Sequence, residues 1–309
     1  MHAFSRWWAL ALLVSGAPAY ADDNDLRLEK LGIPAPPEGE PAPVLPTGNS
    51  NFQAFARTFG AALTSTNLMP PETLGHSGFN INLELSVINL PDDVTIPTEG
   101  EEPGSVLLPA LHVRKGLPFS LELGARVGWV EKSSLFAATG ELKWAINEGF
   151  TYLPDIGVRG HITRLMGARD LGLTTAGLDF GVGKQFPVGG MVTFTPYGGL
   201  DLLFTGADSR NLYFEPAPSE PPVDPPVAPP TEPQELLTNT AVYEPVDIGD
   251  SLNPRIYGGV RFIGGVLQLG VEFSYTRLGS VKLDPSQEDG DSKGVPGVVT
   301  FNTSFGLDF

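Results

Sequence analysis

The sequence predicts an all-β chain: a transmembrane antiparallel up-and-down β-barrel of about ten strands, preceded by one short helix. Three observations carry this. A two-residue period of apolar and polar side chains recurs from Phe79 to the terminal Phe309. The connections between periodic stretches alternate between tight turns and long, acidic, Pro-rich segments. The first 21 residues read as an export signal.

That signal runs MHAFSR, then WWALALLVSG, then APAYA, with small residues at Ala19 and Ala21. Its apolar run is too short for a spanning helix, which needs roughly 20 residues, so cleavage is expected after Ala21. Residues 22–50 are rich in Pro and acids without period, and read as a flexible periplasmic tail. In 51–66, Phe52, Phe55, Phe59 and Leu63 fall at helical spacing, which predicts an amphipathic helix lodged in the periplasmic mouth.

From residue 79 the period becomes two. In FNINLELSV, Phe79, Ile81, Leu83, Leu85 and Val87 oppose Asn80, Asn82, Glu84 and Ser86. The alternation returns at 106–115, 117–130, 135–147, 153–165, 171–186, 191–206, 254–262, 266–278 and 297–309. Each stretch is near the 9–11 or so residues that cross a bilayer at a tilt. Connections 91–105, 131–134, 166–170, 207–253 and 279–296 are read as extracellular, and KGLP, NEGF, FPVGG and IGG as periplasmic turns. An even count puts both termini in the periplasm; twelve strands would follow if 51–66 paired and part of 207–253 supplied another. Pro196 with Gly198 and Gly199 predicts a bulge, and Gly258 with Gly259 a bend. The run 215–233 is read as a stiff polyproline-like projection.

The formal charge of −17 is concentrated in loops and tail: 207–253 alone holds nine acids against Arg210. Nucleic acid is therefore not expected as a partner. There is no cysteine, which removes disulfides, thiol catalysis and Cys-based zinc sites. The acidic DPSQEDGDSK (284–293) lacks the spacing of a calcium loop, so neither metal nor cofactor is expected.

The faces opposite the apolar ones carry the candidate binding residues. Acids are Glu84, Glu122, Glu141, Asp155, Asp179, Asp201, Glu272 and Asp308; bases are Arg114, Arg126, Lys143, Arg159, Arg255 and Arg261. His112 and His161 share these faces. A selective wide pore favours a lining of one sign, whereas this near balance predicts an ion-paired, largely filled lumen. No nucleophile–base signature accompanies the histidines, so no catalytic residue is assigned.

The last strand places Phe301, Phe305, Leu307 and Phe309 on one parity and ends on the aromatic. This resembles the closing strand of Gram-negative outer-membrane β-barrel proteins, over 79–309. The resemblance implies residence in the outer membrane and contact with its lipids and with periplasmic chaperones. It also implies that the terminal strand is the signal read by the barrel-assembly machinery. It names no activity. Three readings follow: a structural or small-pore, porin-like protein of the cell envelope, a transporter of hydrophobic or amphipathic small molecules, or a surface enzyme, the last being the least supported.

Overall fold

In a strand successive side chains point to opposite faces, so the alternation must resolve into an inside and an outside if the sheet closes. In the computed structural model, which describes residues 22–32, 48–214, 240–282 and 292–309, it does close. The ten strands are β1 (Phe79–Asn89), β2 (Ser105–Leu117), β3 (Leu121–Trp129), β4 (Phe136–Asn147), β5 (Asp155–Met166), β6 (Leu171–Gly183), β7 (Val192–Ser209), β8 (Leu252–Gly264), β9 (Leu267–Thr276) and β10 (Val298–Asp308). Each pairs antiparallel with its sequence neighbour. The seam joins β1 to β10 from Asn80↔Asp308 to Asn89↔Val299. No strand of the barrel keeps an edge, as lipid requires.

The inside–outside assignment is the reverse of a soluble sandwich. Leu83 is 63% exposed while its neighbour Glu84 is 3% exposed. Leu123, Ile162, Phe273 and Phe305 likewise stand on the outer face. Burying charge and exposing leucine is stable only if the outer face meets hydrocarbon. No described helix is long and apolar enough to cross a membrane; the strands do that.

Residues 1–21, 33–47, 215–239 and 283–291 lie outside the described residues, and with them the export signal, most of the tail and the Pro-rich run. The twelve-strand alternative falls. Residues 51–66 supply a helix, and among the described residues Leu212–Tyr213 forms with Thr240–Ala241 a two-stranded ladder separate from the barrel sheet. Ser280–Lys282 and Ser292–Gly294 form a second small ladder at the same end.

Several local expectations are corrected. Pro196 causes no bulge: its register with Val260 is continuous. β6 stops at Gly183, opposite Tyr197, and Lys184 N–H still donates to the Pro196 carbonyl at 3.2 Å. The missing proline N–H therefore falls in the gap between Gly183 and the short strand Phe186–Val188, which pairs again with Val192–Phe194 of β7. The register shift lies instead between Ala145 and Asn147 in β4. Gly258 and Gly259 interrupt no pairing with either neighbour. Gly259 makes room for a ring, since a Cβ there would come within 2.7 Å of the Tyr197 hydroxyl. Phe119, read as a strand residue, occupies the β2–β3 turn with φ 65°.

The helix α1 (Gly48–Leu63) begins and ends three residues before the expected 51–66. At its end Thr64 turns its hydroxyl back to the Gly60 carbonyl at 2.7 Å. Phe52, Phe55 and Phe59 are buried as expected. Their place is not the one expected: α1 seats at the long-loop end, against Val94 and Ile96 of the β1–β2 loop and Leu278, Val281 and Val295 of the β9–β10 loop. Strand interiors explain this. Near that end their inward residues change from polar to apolar, as in Ile88 on β1, Leu108 on β2, Leu165 on β5 and Leu173 on β6. These form an apolar socket that a Phe-striped helix fills.

Residues 22–32 also lie at the long-loop end. Leu26 bridges to Thr98. Leu28 and Leu31, one turn of 3-10 helix apart, bury into the cap, and the Tyr243 hydroxyl donates to the carbonyls of Leu28 and Gly32 at 2.8 Å each. Phe309, by contrast, pairs with Phe79 at the short-turn end. The described start and end of the chain are thus at opposite ends of the barrel, and the expectation that both share one side is overturned.

Candidate functional site

Between α1 and β1 the chain must travel the full height of the barrel, and it does so inside the lumen. Residues 64–78 run from the apolar socket to the short-turn end, and the inward side chains of the strands hold them. Arg255 Nη2 donates to the Ala61 carbonyl at 2.6 Å. Further down, Arg159 reaches the Thr66 carbonyl at 3.4 Å and Arg114 the Asn67 carbonyl at 2.6 Å. Leu68 N–H donates to Glu272 Oε2 at 2.9 Å, and Lys143 Nζ to the Pro70 carbonyl at 3.4 Å. Near the exit Leu74 N–H donates to Glu122 Oε2 at 3.1 Å, and Thr73 N–H to Glu148 Oε2 at 2.7 Å.

Around this thread the charged side chains are paired with one another, the largest set centring on Glu141. Glu141 accepts from Arg114 Nε at 2.8 Å and from Arg159 Nη1 at 2.8 Å. His112 bridges two carboxylates, with Nδ1 2.9 Å from Glu84 and Nε2 3.0 Å from Glu141. The other oxygen of Glu84 takes Arg126 Nε at 2.7 Å. Lys143 pairs with Glu122 at 2.9 Å. Asp179 lies between Arg159 Nε at 3.1 Å and the Tyr257 hydroxyl at 2.6 Å. His161 Nε2 meets Asp201 at 3.1 Å. Arg261 pairs with Glu72, the one acid the thread itself contributes to the lumen. Burying a charge unpaired is expensive; here each carboxylate of the network faces at least one cation or hydrogen-bond donor.

Of the sixteen candidates read from the sequence, Glu84, His112, Arg114, Glu122, Arg126, Glu141, Lys143, Arg159, His161, Asp179, Asp201, Arg261 and Glu272 are buried inside the barrel. Asp155 and Arg255 are buried too, while Asp308 is half-buried at the short-turn end. The sequence reading missed the thread and with it Thr66, Asn67, Leu68 and Glu72. The available signal was TSTNLMPPETLGHSG (64–78), which fits neither period and carries adjacent prolines at 70 and 71.

The lumen is filled rather than open. The space bounded by Asn67, Pro71, Lys143, Arg159 and Asp179 has no room for a water-sized sphere. An open cleft of about 540 Å³ lies at the short-turn end beside Glu72, Thr73, Glu148 and Lys184. Among the described residues no group of three His, Cys, Asp or Glu side chains could hold a metal ion.

The proposed assembly residues are on the outer face of β10. Phe305, Leu307 and Phe309 are exposed, and Phe301 is half-covered by Phe273 with ring centroids 4.7 Å apart. The Phe309 ring stacks on Phe79 across the seam, centroids 6.4 Å apart.

No protein-family model matches the chain, and no curated protein matches it. Among solved structures it is similar to Neisserial surface protein A, at 11% identity over 74% of this chain and 95% of that one, with TM-score 0.28. It is similar to Ail, the attachment invasion locus protein of Yersinia pestis, at 10% identity over 76% and 99%, with TM-score 0.26. The translocator domain of the autotransporter NalP from Neisseria meningitidis gives 10% identity over 82% and 92%, with TM-score 0.27. The fold stands on the chain's own geometry. A closed ladder, an apolar outer belt and a charged, filled lumen make it an antiparallel transmembrane β-barrel of the outer-membrane type.

Proposed function

We propose that the protein is a closed, non-conducting barrel of the Gram-negative outer membrane that anchors a structured cap on the cell surface. The carrying observation is the thread: residues 64–78 occupy the lumen while α1 and residues 22–32 pack with the long loops beyond it. In this reading the long-loop end faces outward, and the surface it builds is the working part. Outer-membrane lipids solvate the apolar belt, periplasmic chaperones carry the unfolded chain, and the barrel-assembly machinery reads the end of β10.

The transporter reading needs a continuous path, and the burial of inward Glu84, Arg114, Glu141, Arg159 and Glu272 together with the tight space around Asn67 speaks against one. Enzymatic activity is no part of the proposal: His112 holds buried carboxylates with both ring nitrogens and His161 holds Asp201 with Nε2.

Single-channel recording in planar bilayers tests it. The unmodified chain is expected to be electrically silent, and an epitope placed just before Asp22 to bind antibody on intact cells. A steady open-channel current from the unmodified chain would overturn the closed-barrel reading, and an epitope reached only after permeabilisation would overturn the orientation.

A further inference from the structure

We infer that the lumen is a binding site for polypeptide main chain, indifferent to most of the side chains that chain carries. The inference rests on the plugged lumen proposed above and names the class of ligand it takes.

The observation is which atoms of the thread are held. From Ser65 to Leu74, Arg255, Arg159, Arg114 and Lys143 donate to backbone carbonyls, and Glu272 and Glu122 accept from backbone N–H groups. Carbonyls take the cations and N–H groups take the carboxylates, the pattern any peptide unit presents whatever its residue type. Charged partners make these bonds stronger than neutral ones. All six groups are at most 2% exposed, so no water competes for the main chain.

Between residues 65 and 71 side-chain contacts are fewer: the Met69 sulfur accepts from Gln268 at 3.1 Å and the Asn67 side chain hydrogen-bonds Tyr257. Outside that stretch Thr64 meets Thr175 at 2.8 Å, Glu72 pairs with Arg261, and the Thr73 hydroxyl donates to Glu148 at 2.9 Å. Leu68 is the telling residue. It sits at φ 50°, a backbone region leucine disfavours, while its N–H reaches Glu272. The site has set the main chain and the side chain has accepted the consequence. Glycine would suit that φ better.

The chain has no cysteine, so a single Ser65→Cys reports thread occupancy by its labelling with a membrane-impermeant maleimide, in the full-length protein in bilayer discs. Ser65 is fully buried, and Ser65→Cys alone is expected to be protected. Free labelling of that protein would instead defeat the plugged-lumen reading itself. Added to it, Thr66→Ser, Asn67→Ala, Leu68→Gly and Met69→Ala together change four consecutive side chains and leave the main chain. Labelling within about threefold of the parent is expected. Arg114→Met with Arg159→Met, which changes only the receptor side, is expected to raise labelling at least tenfold. If that pair fails to give a heat-modifiable barrel, Glu272→Ala, which removes one main-chain acceptor, is measured in its place with the same expectation. Labelling that rises as much with the four thread substitutions as with the receptor ones would overturn the inference, as would protection unchanged by the receptor substitutions.

Discussion

Glu141 is the most heavily committed side chain in the lumen, with Arg114, Arg159 and His112 all within 3.0 Å. Its charge, rather than its shape, is what those partners need. Glu141→Gln keeps the volume and removes the charge, leaving buried cations short of an acceptor. Breaking a buried pair from one side costs about 3–5 kcal/mol. Urea unfolding in micelles is expected to shift by that order, and a shift below about 1 kcal/mol would mean the network is slack. Asp25 is a residue-scale case outside the membrane. Partial burial raises its carboxyl pKa, but hydrogen bonds from Ser134 N–H and hydroxyl and from Asp22 N–H outweigh this, and the net shift is downward. A depressed carboxylate stabilises the fold above its ordinary pKa and loses that contribution as pH falls through the folded value. Protease cutting within 22–32 is therefore expected to stay slow at neutral pH and to quicken in acid, below the ordinary Asp range. In Asp25→Asn it is expected to be quick at both, and an unchanged pH profile in that variant would rule Asp25 out.

Among the elements, α1 is seated by one glycine as much as by its phenylalanines. A Cβ at Gly60 would lie 2.7 Å from Thr205 Cγ2 on β7 and 3.1 Å from Thr175 Cγ2 on β6. Alanine normally favours a helix over glycine by about 1 kcal/mol; here the contact reverses the sign. Gly60→Ala is expected to lift α1 and make the cap protease-sensitive, while Gly60→Ala with Thr205→Ser restores it. No restoration would mean the helix is held elsewhere. For β10, Phe309 at an exposed interface contributes less than the roughly 1.5–3 kcal/mol of a buried Phe. Phe309→Ala is nevertheless expected to assemble poorly in cells, if the terminal strand is an address. Phe301→Ala, which loses the Phe273 contact, is expected to lower barrel stability and leave assembly closer to normal. Heat-modifiable mobility of outer-membrane fractions separates the two, and equal near-normal yields would reduce Phe309 to an interfacial ring. The strands and their facing were legible because period two is local: Glu84 and Leu83 differ in parity, and parity alone sets their side. The Phe spacing of α1 was legible for the same reason. Its position was not, because it depends on the inward residues of separate strands, such as Ile88, Leu108 and Leu173, meeting at one end. The thread was illegible as structure because its bonds are made by its main chain, which every sequence shares.

At the scale of the whole molecule, ten strands with filled interior describe a cylinder whose contents are its own N-terminal segment. Charge balance predicted the filling but assigned it to ion pairs alone, since sequence gives no sign that a chain passes between them. The thread has a consequence for the order of events during folding. A helix is about 10–12 Å wide with its side chains, and to reach the long-loop end it would have to pass the inward-pointing Arg114, Arg159 and Glu272 that hold the thread. The N-terminal segment must therefore be in place before β1 zips to β10, because a sealed tube cannot swallow it afterwards. Refolding from urea is then a race between insertion and sealing. Two heat-modifiable species are expected, one capped and one sealed empty, that do not interconvert without unfolding. A single species under all refolding conditions would mean the wall opens readily at the seam. The molecule is, in effect, a needle that must be threaded while its eye is still open.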